Sequence, residues 1–564
     1  MRKVIYHDTN ACVGCNRCTR ICPLETANVT SVNENGEVKV NIDAGKCIAC
    51  GACVSACRHG ARSYEDDTKT FIDDLRKGMS ISLIVAPAMR TNTNEMGRVL
   101  TWLRNLGVRK IYDVSLGADI CTWAHIRFIQ KNNPSSVITQ PCPAIVNYCL
   151  MYQPKLLQNL SPIHSPMLCT AVYMDKYEKI TDRIAAISPC IAKTHEFEST
   201  GLVQYNVTFK KLFSYIKENH IRLPEEVSDF DHYPSGLGSV YSMPGGLKEN
   251  IEFFLGKVLR IDKSEGQTVV YDALDSFLKQ PAGNLPAIFD VLNCAEGCNL
   301  GTGCSHEKDI FEINTVMEKA RKDAAKNRDR AYFEGLYEDY DKMFQLNHFV
   351  RSYSPAPINL PPITEADIED AFVKMDKETD VERRFDCGAC GSNTCFDMAR
   401  KIVLNVNVPE NCIRKNRNEI KEKHSALIDI QRKNLENVAQ ISTDIENIKA
   451  YAGEISANID SVNASIVDYE NMAKTIGEIT RHINIISINT SIEAARAGAQ
   501  GRAFSVIAAE IKNLAENSRK AVSRSNEASA VAGDSMQEMN KSMEQILTAV
   551  ETAHRNIKEI SQSQ

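Results

Sequence analysis

Short apolar runs rich in valine and isoleucine recur between residues 78 and 305: ISLIVAPAM, VRKIYDVSL, SSVITQPC, RIAAISPC and AIFDVLNC. Runs of this length, separated by stretches of helical period such as EMGRVLTWLRNL, predict buried strands of an α/β layer. Residues 306 to 350 change character: Lys, Glu, Ala and Arg dominate, with apolar residues at helical spacing, which predicts helices packed on that layer. The segment SPAPINLPP, Ser354 to Pro362, then stiffens the chain and interrupts helix. From about residue 435 the apolar positions alternate by four and three. One series is Ile445, Ile448, Ala452, Ile455, Ile459, Val462, Ile466, Tyr469, Ala473, Ile476, Thr480 and Ile483. A second is Ile511, Leu514, Ser518, Ala521, Ser525, Ala528 and Ala532, with Ile546, Val550, Ala553, Ile557 and Ile560 further on. Sustained heptads predict a coiled coil, here two arms of about 60 residues, each running about 90 Å at 1.5 Å per residue.

A chain of 564 residues is too long for one core and implies three to five domains. Its net charge of -6, spread through a mixed sequence, gives no basic stripe for nucleic acid. No apolar run reaches the roughly 18 residues of a membrane span. The start, MRKVIYHDTNACVGC, lacks the apolar core of a signal peptide, so a cytoplasmic location is expected. All 20 cysteines fall within the first 412 residues. In a reduced compartment, grouped cysteines are metal ligands or catalytic thiols more often than disulfides.

Cys12, Cys15 and Cys18 are spaced CxxCxxC and followed by Cys22-Pro23; Cys47, Cys50, Cys53 and Cys57 repeat the spacing. Tight loops of this kind present successive thiolates to different irons of one cube, and the fourth thiolate of each run reaches the other cube. Cys12, Cys15, Cys18 and Cys57 are therefore assigned to one 4Fe–4S cluster, and Cys47, Cys50, Cys53 and Cys22 to its neighbour. The pattern resembles a bacterial two-cluster ferredoxin, with Arg58 where proline is usual; structural zinc is the alternative.

Three apolar runs end at a cysteine: Cys142, Cys190 and Cys294, with Cys298 a turn later. Ligands in open α/β sheets collect beyond the carboxyl ends of strands. The pattern alone divides evenly between a shared cluster and buried, inert cysteines. The local sequences add more. Thr139-Gln-Pro-Cys142-Pro143-Ala144, Ser188-Pro189-Cys190-Ile-Ala-Lys193-Thr-His-Glu196 and Asp290-Val-Leu-Asn-Cys294-Ala-Glu-Gly297-Cys298 resemble the three signatures of iron-only (di-iron) hydrogenases. Ala86, Pro87 and Ala88 resemble the segment of that family that wraps the di-iron site.

This resemblance implies that Cys142, Cys190, Cys294 and Cys298 hold a 4Fe–4S cube. Cys298 would also bridge to a di-iron centre carrying CO, cyanide and a dithiolate. It implies that Lys193 donates to a cyanide ligand, that Glu196 fixes Lys193, and that dihydrogen is the substrate. The departures matter too. Catalytic members place a thiol immediately before the first ligand cysteine, as proton relay; here that residue is Pro141. The acidic relay that usually follows an ADxT-like segment gives way to Ala124 and His125, and flanking methionines to Ser188 and Leu292. Slow turnover is expected, because a general acid must lie within hydrogen-bond reach of its target. Cys169 is a candidate substitute relay, with a packed core thiol as the alternative; His125 reads as a satisfied polar residue, and Cys121, Cys149 and Cys304 carry no assignment.

Cys387, Cys390, Cys395 and Cys412 form a third group, with a close glycine pair at Gly388 and Gly391. The group resembles the extra 4Fe–4S module of sensory-type iron-only hydrogenases and some corrinoid proteins; zinc also fits its CxxC pair. The turn between the two arms, from Asn489 to Ala508, resembles the hairpin tip of methyl-accepting chemotaxis receptors. That tip docks a histidine kinase and its coupling adaptor. The match places Ile485, Ile488, Ile492, Glu493, Arg496 and Val506 on the docking surface, with Arg481 and Ala499 as departures and no methylation site assigned.

The expected architecture is multidomain α/β plus all-α. A two-cluster ferredoxin domain (1–66) precedes an iron-only hydrogenase-like α/β domain (78–305) and a helical segment with Pro-rich linker (306–385). A 4Fe–4S four-cysteine module (386–420) and a long antiparallel coiled-coil hairpin of chemoreceptor type (421–564) follow. The expected protein is a cytosolic dihydrogen or redox sensor with four 4Fe–4S clusters and a di-iron centre, homodimeric through the coiled coil. Ferredoxin or another redox partner could exchange electrons with it. Three alternatives stay open: a working hydrogenase, a general redox receptor without the di-iron centre, and a partner that modulates another hydrogenase.

Overall fold

The computed structural model describes residues 2–139, 142–232, 236–255, 259–326 and 328–562. The chain divides into two compact units, Met1–Asn418 and Glu419–Gln564. Among the described residues no helix is long and apolar enough to cross a membrane.

Four short strands open the first unit: β1 (Ile5–His7), β2 (Asn28–Val32), β3 (Val38–Ile42) and β4 (Arg62–Tyr64). β1 pairs antiparallel with β4, and β2 with β3. Each cysteine run enters a one-turn helix, Arg17–Ile21 or Ala52–Ala56. Both helices start from a residue in the left-handed region, Asn16 and Gly51.

The five apolar runs supply five of seven parallel strands, which lie in two sheets; β9 and β10 come from segments outside those runs. The strands are β5 (Ile81–Val85), β6 (Ile111–Asp113), β7 (Val137–Ile138), β8 (Arg183–Ser188), β9 (Tyr205–Thr208), β10 (Ile261–Glu265) and β11 (Ile288–Leu292). One sheet has the order β6-β5-β8-β9 and the other β10-β11-β7. All five residues of β5 and of β11 are buried, as expected for parallel strands covered on both faces. The single expected layer is thus two. The run VRKIYDVSL contributes only three strand residues before the chain turns into the helix Val114–Asn132, where the Asp113 carboxylate accepts from the Ser115 N–H and caps the first turn. The expected helices past residue 306 are Ile310–Ala325 and Arg330–Met343, which bury Ile313, Met317, Phe333, Tyr337 and Tyr340.

Asp119, inside the helix Val114–Asn132, ties down a distant loop: its carboxylate accepts from the backbone N–H of Gly236 and of Gly238, both at 2.7 Å. Burial pushes this carboxyl up to about 7 from an ordinary 3.8. Because the folded value is the higher one, its stabilisation is complete below about pH 4 and is lost as the pH rises through 7. Asp119→Ala should cost about 2–4 kcal/mol at low pH, since two buried donors lose their acceptor. Urea titrations at pH 5 and pH 8 should show a smaller cost at pH 8.

In the second unit, helix Ile413–Arg496 continues into its first arm and Arg502–Gln562 forms the return arm. The turn closes through Gly498, in the left-handed region, and Gly501, where any Cβ would strike the Ala494 carbonyl. The buried positions of the first arm, Ile445, Ala452, Ile459, Ala473, Thr480, Ser487 and Ala494, fall on one seven-residue grid. The return arm buries Ala508, Ala515, Ser529, Met543 and Val550, also on a seven-residue grid. The expected return-arm series is therefore only half right: Leu514, Ala521, Ala528 and Ile546 face solvent, and the buried seam passes through Ala515 instead.

Candidate iron–sulfur and dihydrogen site

The carboxyl ends of β7, β8 and β11, drawn from both sheets, converge on one cavity. Cys142, Cys190, Cys294 and Cys298 all line it. Cys298 is carried there by the turn Gly297–Leu300, whose tightness depends on Gly297: it sits in the left-handed region, and a Cβ would lie 2.5 Å from the Ser242 carbonyl. Much of the remaining wall is apolar, including Ala86, Pro87, Ala88, Met167, Tyr241 and Leu292, with Lys193 as its one charged side chain among the described residues.

The donor set fits an iron–sulfur core. Burial, then the neighbouring thiolates, push Cys190 up to about 12 and Cys294 well above the ordinary thiol range; Cys298 rises to about 11. Four thiols that disfavour one another's ionisation become stable thiolates only against a cationic core. Among the described residues no three His, Cys, Asp or Glu side chains converge closely enough for a single metal ion.

Lys193 is buried, and its Nζ donates to Glu196 Oε2 at 2.6 Å and to Ser165 Oγ at 2.9 Å. Ser165 Oγ also donates to Glu196 Oε2, and Arg351 Nη1 lies 3.9 Å from Glu196 Oε1. Glu196 thus stands behind Lys193, outside the cavity lining. Asp290 is not in the lining either. It accepts from Thr139 Oγ1 at 2.9 Å and from the Lys248 N–H, and so fastens β11 to the segment after β7. Ser188 turns away to donate to Asn206 Oδ1, while Leu292 does reach the cavity. Pro141, with Gln140, lies outside the described residues.

Cys169 is fully buried two residues beyond Met167 on the same helix, outside the cavity lining, and its Sγ donates to the His164 carbonyl at 3.3 Å. Beside it is a cluster that sequence reasoning missed. Cys121 Sγ lies 3.6 Å from His125 Nδ1 and accepts from the hydroxyl of Tyr241, a cavity-wall residue. Burial alone would raise the Cys121 thiol, but hydrogen bonding from Cys169 and the nearby His125 hold it well below the ordinary range. His125 Nδ1 donates to the Cys121 carbonyl, so in the neutral ring Nε2 accepts from Ser161 Oγ at 2.9 Å. The i, i+4 spacing of Cys121 and His125 was the available signal; nothing local points to Tyr241. Of the other unassigned thiols, Cys149 is wholly buried in a core cluster and Cys304 lies 3.6 Å from the Cys298 carbonyl.

Two smaller cavities collect other predicted ligands. Cys22, Cys47, Cys50 and Cys53 line one, and Cys387, Cys390, Cys395 and Cys412 line the other. Cys12 and Cys15 precede the first one-turn helix of the first domain, Cys18 lies within it, and Cys57 directly follows the second. The first of these groups adjoins the central cavity: Cys50 lines that cavity too, and its carbonyl accepts from Asn293 Nδ2. Gly51 packs against the loop beyond Cys298, where a Cβ would meet Thr302 at 2.6 Å. At the hairpin tip, Ile485, Ile488, Ile492 and Val506 are exposed apolar residues, and Glu493 pairs with Arg496 at 3.5 Å.

Comparison with known proteins follows the same divisions. Residues 79–301 match the C-terminal domain of the iron-only hydrogenase large subunit, and residues 467–564 the methyl-accepting chemotaxis protein signalling domain. Residues 4–58 match a 4Fe–4S dicluster domain, and residues 384–414 a family described as a "putative Fe-S cluster". Iron hydrogenase 1 of Clostridium pasteurianum is 27% identical over 291 residues, 44% of this chain and 50% of that protein. Methyl-accepting chemotaxis protein PctB of Pseudomonas aeruginosa is 32% identical over 103 residues, 18% of this chain and 16% of that one. The chain thus spans half the length of that hydrogenase and about a sixth of that receptor. A solved FeFe-hydrogenase from Chlamydomonas reinhardtii aligns over 52% of this chain and 100% of its own, at 15% identity and a TM-score of 0.38. The chain is a fusion in which an iron-only hydrogenase-type domain with iron–sulfur modules is joined to a methyl-accepting chemotaxis signalling domain.

Proposed function

We propose that the protein is a dihydrogen sensor of the cytoplasm that reports through its chemoreceptor-type hairpin to a histidine kinase and coupling adaptor. The observation that carries this is the presence, in one chain with a signalling hairpin, of a largely apolar cavity lined by four cysteines and Lys193. Cys142, Cys190, Cys294 and Cys298 would hold a 4Fe–4S cube, with Cys298 shared with a di-iron centre carrying CO, cyanide and a dithiolate. When bound, that centre supplies the site where dihydrogen is split or formed. Ala86, Pro87 and Ala88 shape its wall and exclude water. Lys193 offers a cationic donor in the wall, and Glu196 with Ser165 fixes its ammonium.

Cys169 is the proposed proton-holding group in place of the thiol absent at Pro141. Its neighbours Cys121, His125 and Ser161 extend a chain of groups able to hold a proton. A carrier this deeply buried favours slow exchange, which suits a sensor better than a fast enzyme. Three further cubes, on Cys22 with Cys47, Cys50 and Cys53, on Cys12 with Cys15, Cys18 and Cys57, and on Cys387 with Cys390, Cys395 and Cys412, would carry the electrons away.

A second copy of the chain is the proposed partner along the first arm. From Ile420 to Ile483 every seventh residue except Asn434 is apolar, and all of these apolar residues are exposed, a stripe separate from the buried seam between the arms. A parallel partner would cover that stripe and give a four-helix unit. Ile485, Ile488, Ile492, Glu493, Arg496 and Val506 would then form the kinase and adaptor surface.

Infrared spectroscopy tests the reading. After maturation with the di-iron cofactor, CO and cyanide bands should appear and shift under dihydrogen. Iron-replete protein without such bands would rule out the dihydrogen reading and favour a general redox receptor.

A further inference from the structure

The four-cysteine module closes back on the start of the chain. Asn16, between Cys15 and Cys18, is buried and held in the left-handed region, which turns its side chain outward from the cysteine loop. Its carboxamide donates to Asn411 Oδ1 at 2.7 Å and to the Ala389 carbonyl at 3.3 Å. Asn411 returns a bond to Asn16 Oδ1 at 3.2 Å and also donates to the Cys390 carbonyl. Asn411 directly precedes Cys412, and Ala389 directly precedes Cys390.

Three more contacts fix the approach. Arg400 holds Glu25 through two nitrogens at 3.0 and 3.4 Å, and the Thr30 N–H donates to the Val406 carbonyl at 2.9 Å. Gly391 comes so close that a Cβ would sit 2.9 Å from the Thr19 side chain. Two cysteine loops almost 400 residues apart in sequence are thus joined by a two-carboxamide bridge whose ends adjoin cysteines of both groups.

We infer that the Asn16–Asn411 bridge is the electron-transfer contact between the cluster of Cys12, Cys15, Cys18 and Cys57 and the cluster of Cys387, Cys390, Cys395 and Cys412. The inference rests on the proposed function in requiring a cube in each group. One electron leaves the reduced cube of the first group and enters the oxidised cube of the module, with no proton moved; oxidation of dihydrogen to two protons supplies two such electrons. Asn16 and Asn411 are positioning residues, holding the two loops at a fixed separation with a hydrogen-bonded path between them. The module so reduced is the one whose last cysteine, Cys412, directly precedes helix Ile413–Arg496.

The test uses the full chain with its cubes assembled. Iron and sulfide content, with electron paramagnetic resonance of the dithionite-reduced protein, first shows whether the module holds a cube; a module without one overturns the functional reading of the module and not the packing. In cube-replete protein the signals of the two cubes should be broadened by mutual spin coupling. Asn16→Ala and Arg400→Glu should each weaken that coupling and slow reduction of the module by dihydrogen severalfold in loaded protein, with iron content unchanged. Adding Glu25→Arg to Arg400→Glu should restore both. Coupling that is absent from the unaltered protein, or unchanged in both single variants with the cubes intact, overturns the contact.

Discussion

Lys193→Met is expected to destabilise the first unit by about 3 kcal/mol, at the lower end of the cost of breaking a buried ion pair. The charge left behind is Glu196, 4% exposed, whose Oε2 now accepts from both Lys193 and Ser165. Removing the ammonium leaves, among the described residues, the Ser165 hydroxyl and Arg351, the latter 3.9 Å from the other carboxylate oxygen. Arg351 is the reason to expect the lower end of the range. Converting Glu196 to Gln as well removes the stranded charge, so Lys193→Met/Glu196→Gln should recover most of the loss. Both tryptophans of the chain, Trp102 and Trp123, lie in the core of this domain, so urea titration by their fluorescence reads it directly. A double variant no more stable than the single one would mean that Lys193 acts through packing of its stem and not through its charge.

Cys294→Ser should remove the central cube and leave the rest. Cys294 lies two residues beyond the end of β11, and its thiol is pushed up by burial and by Cys142, Cys190 and Cys298. A serine hydroxyl is a far poorer thiolate substitute, so iron should fall by about four atoms per chain, the content of one cube, with a further loss of any di-iron centre. Cys149→Ser is the comparison: Cys149 is fully buried but lies in a core cluster away from the cavity lining. It should lower stability by burying an extra hydroxyl and leave iron unchanged. Equal iron loss in both variants would contradict the ligand assignment.

What the sequence made legible follows from how locally each feature is encoded. The buried strands β5, β8 and β11 are continuous apolar runs, and a run of that kind has few other places to go. The cysteine loops are short, local spacing patterns, so candidate ligands could be named without the fold. Division of the strands into two sheets could not be read this way, because pairing order is a long-range property. The return-arm register was misjudged where Leu514 stands beside Ala515: hydrophobicity favours leucine, yet the close seam takes the smaller side chain. Asp290 looked like a site residue by its place in a signature, but its partners Thr139 and Lys248 make it a fastening for β11. The Tyr241–Cys121–His125 cluster and the Asn16–Asn411 bridge join residues more than a hundred positions apart, and no local pattern announces either.

The central claim is that dihydrogen at the cavity changes the output of the hairpin. The most direct measurement is autophosphorylation of a chemotaxis-type histidine kinase, reconstituted with its coupling adaptor and the fully matured protein, under dihydrogen and under argon. The kinase rate should differ severalfold between the two gases. That difference should vanish in protein carrying its cubes but not the di-iron centre, and in Cys294→Ser. A kinase rate that is the same under both gases, in protein whose infrared bands do respond to dihydrogen, would contradict the sensor account.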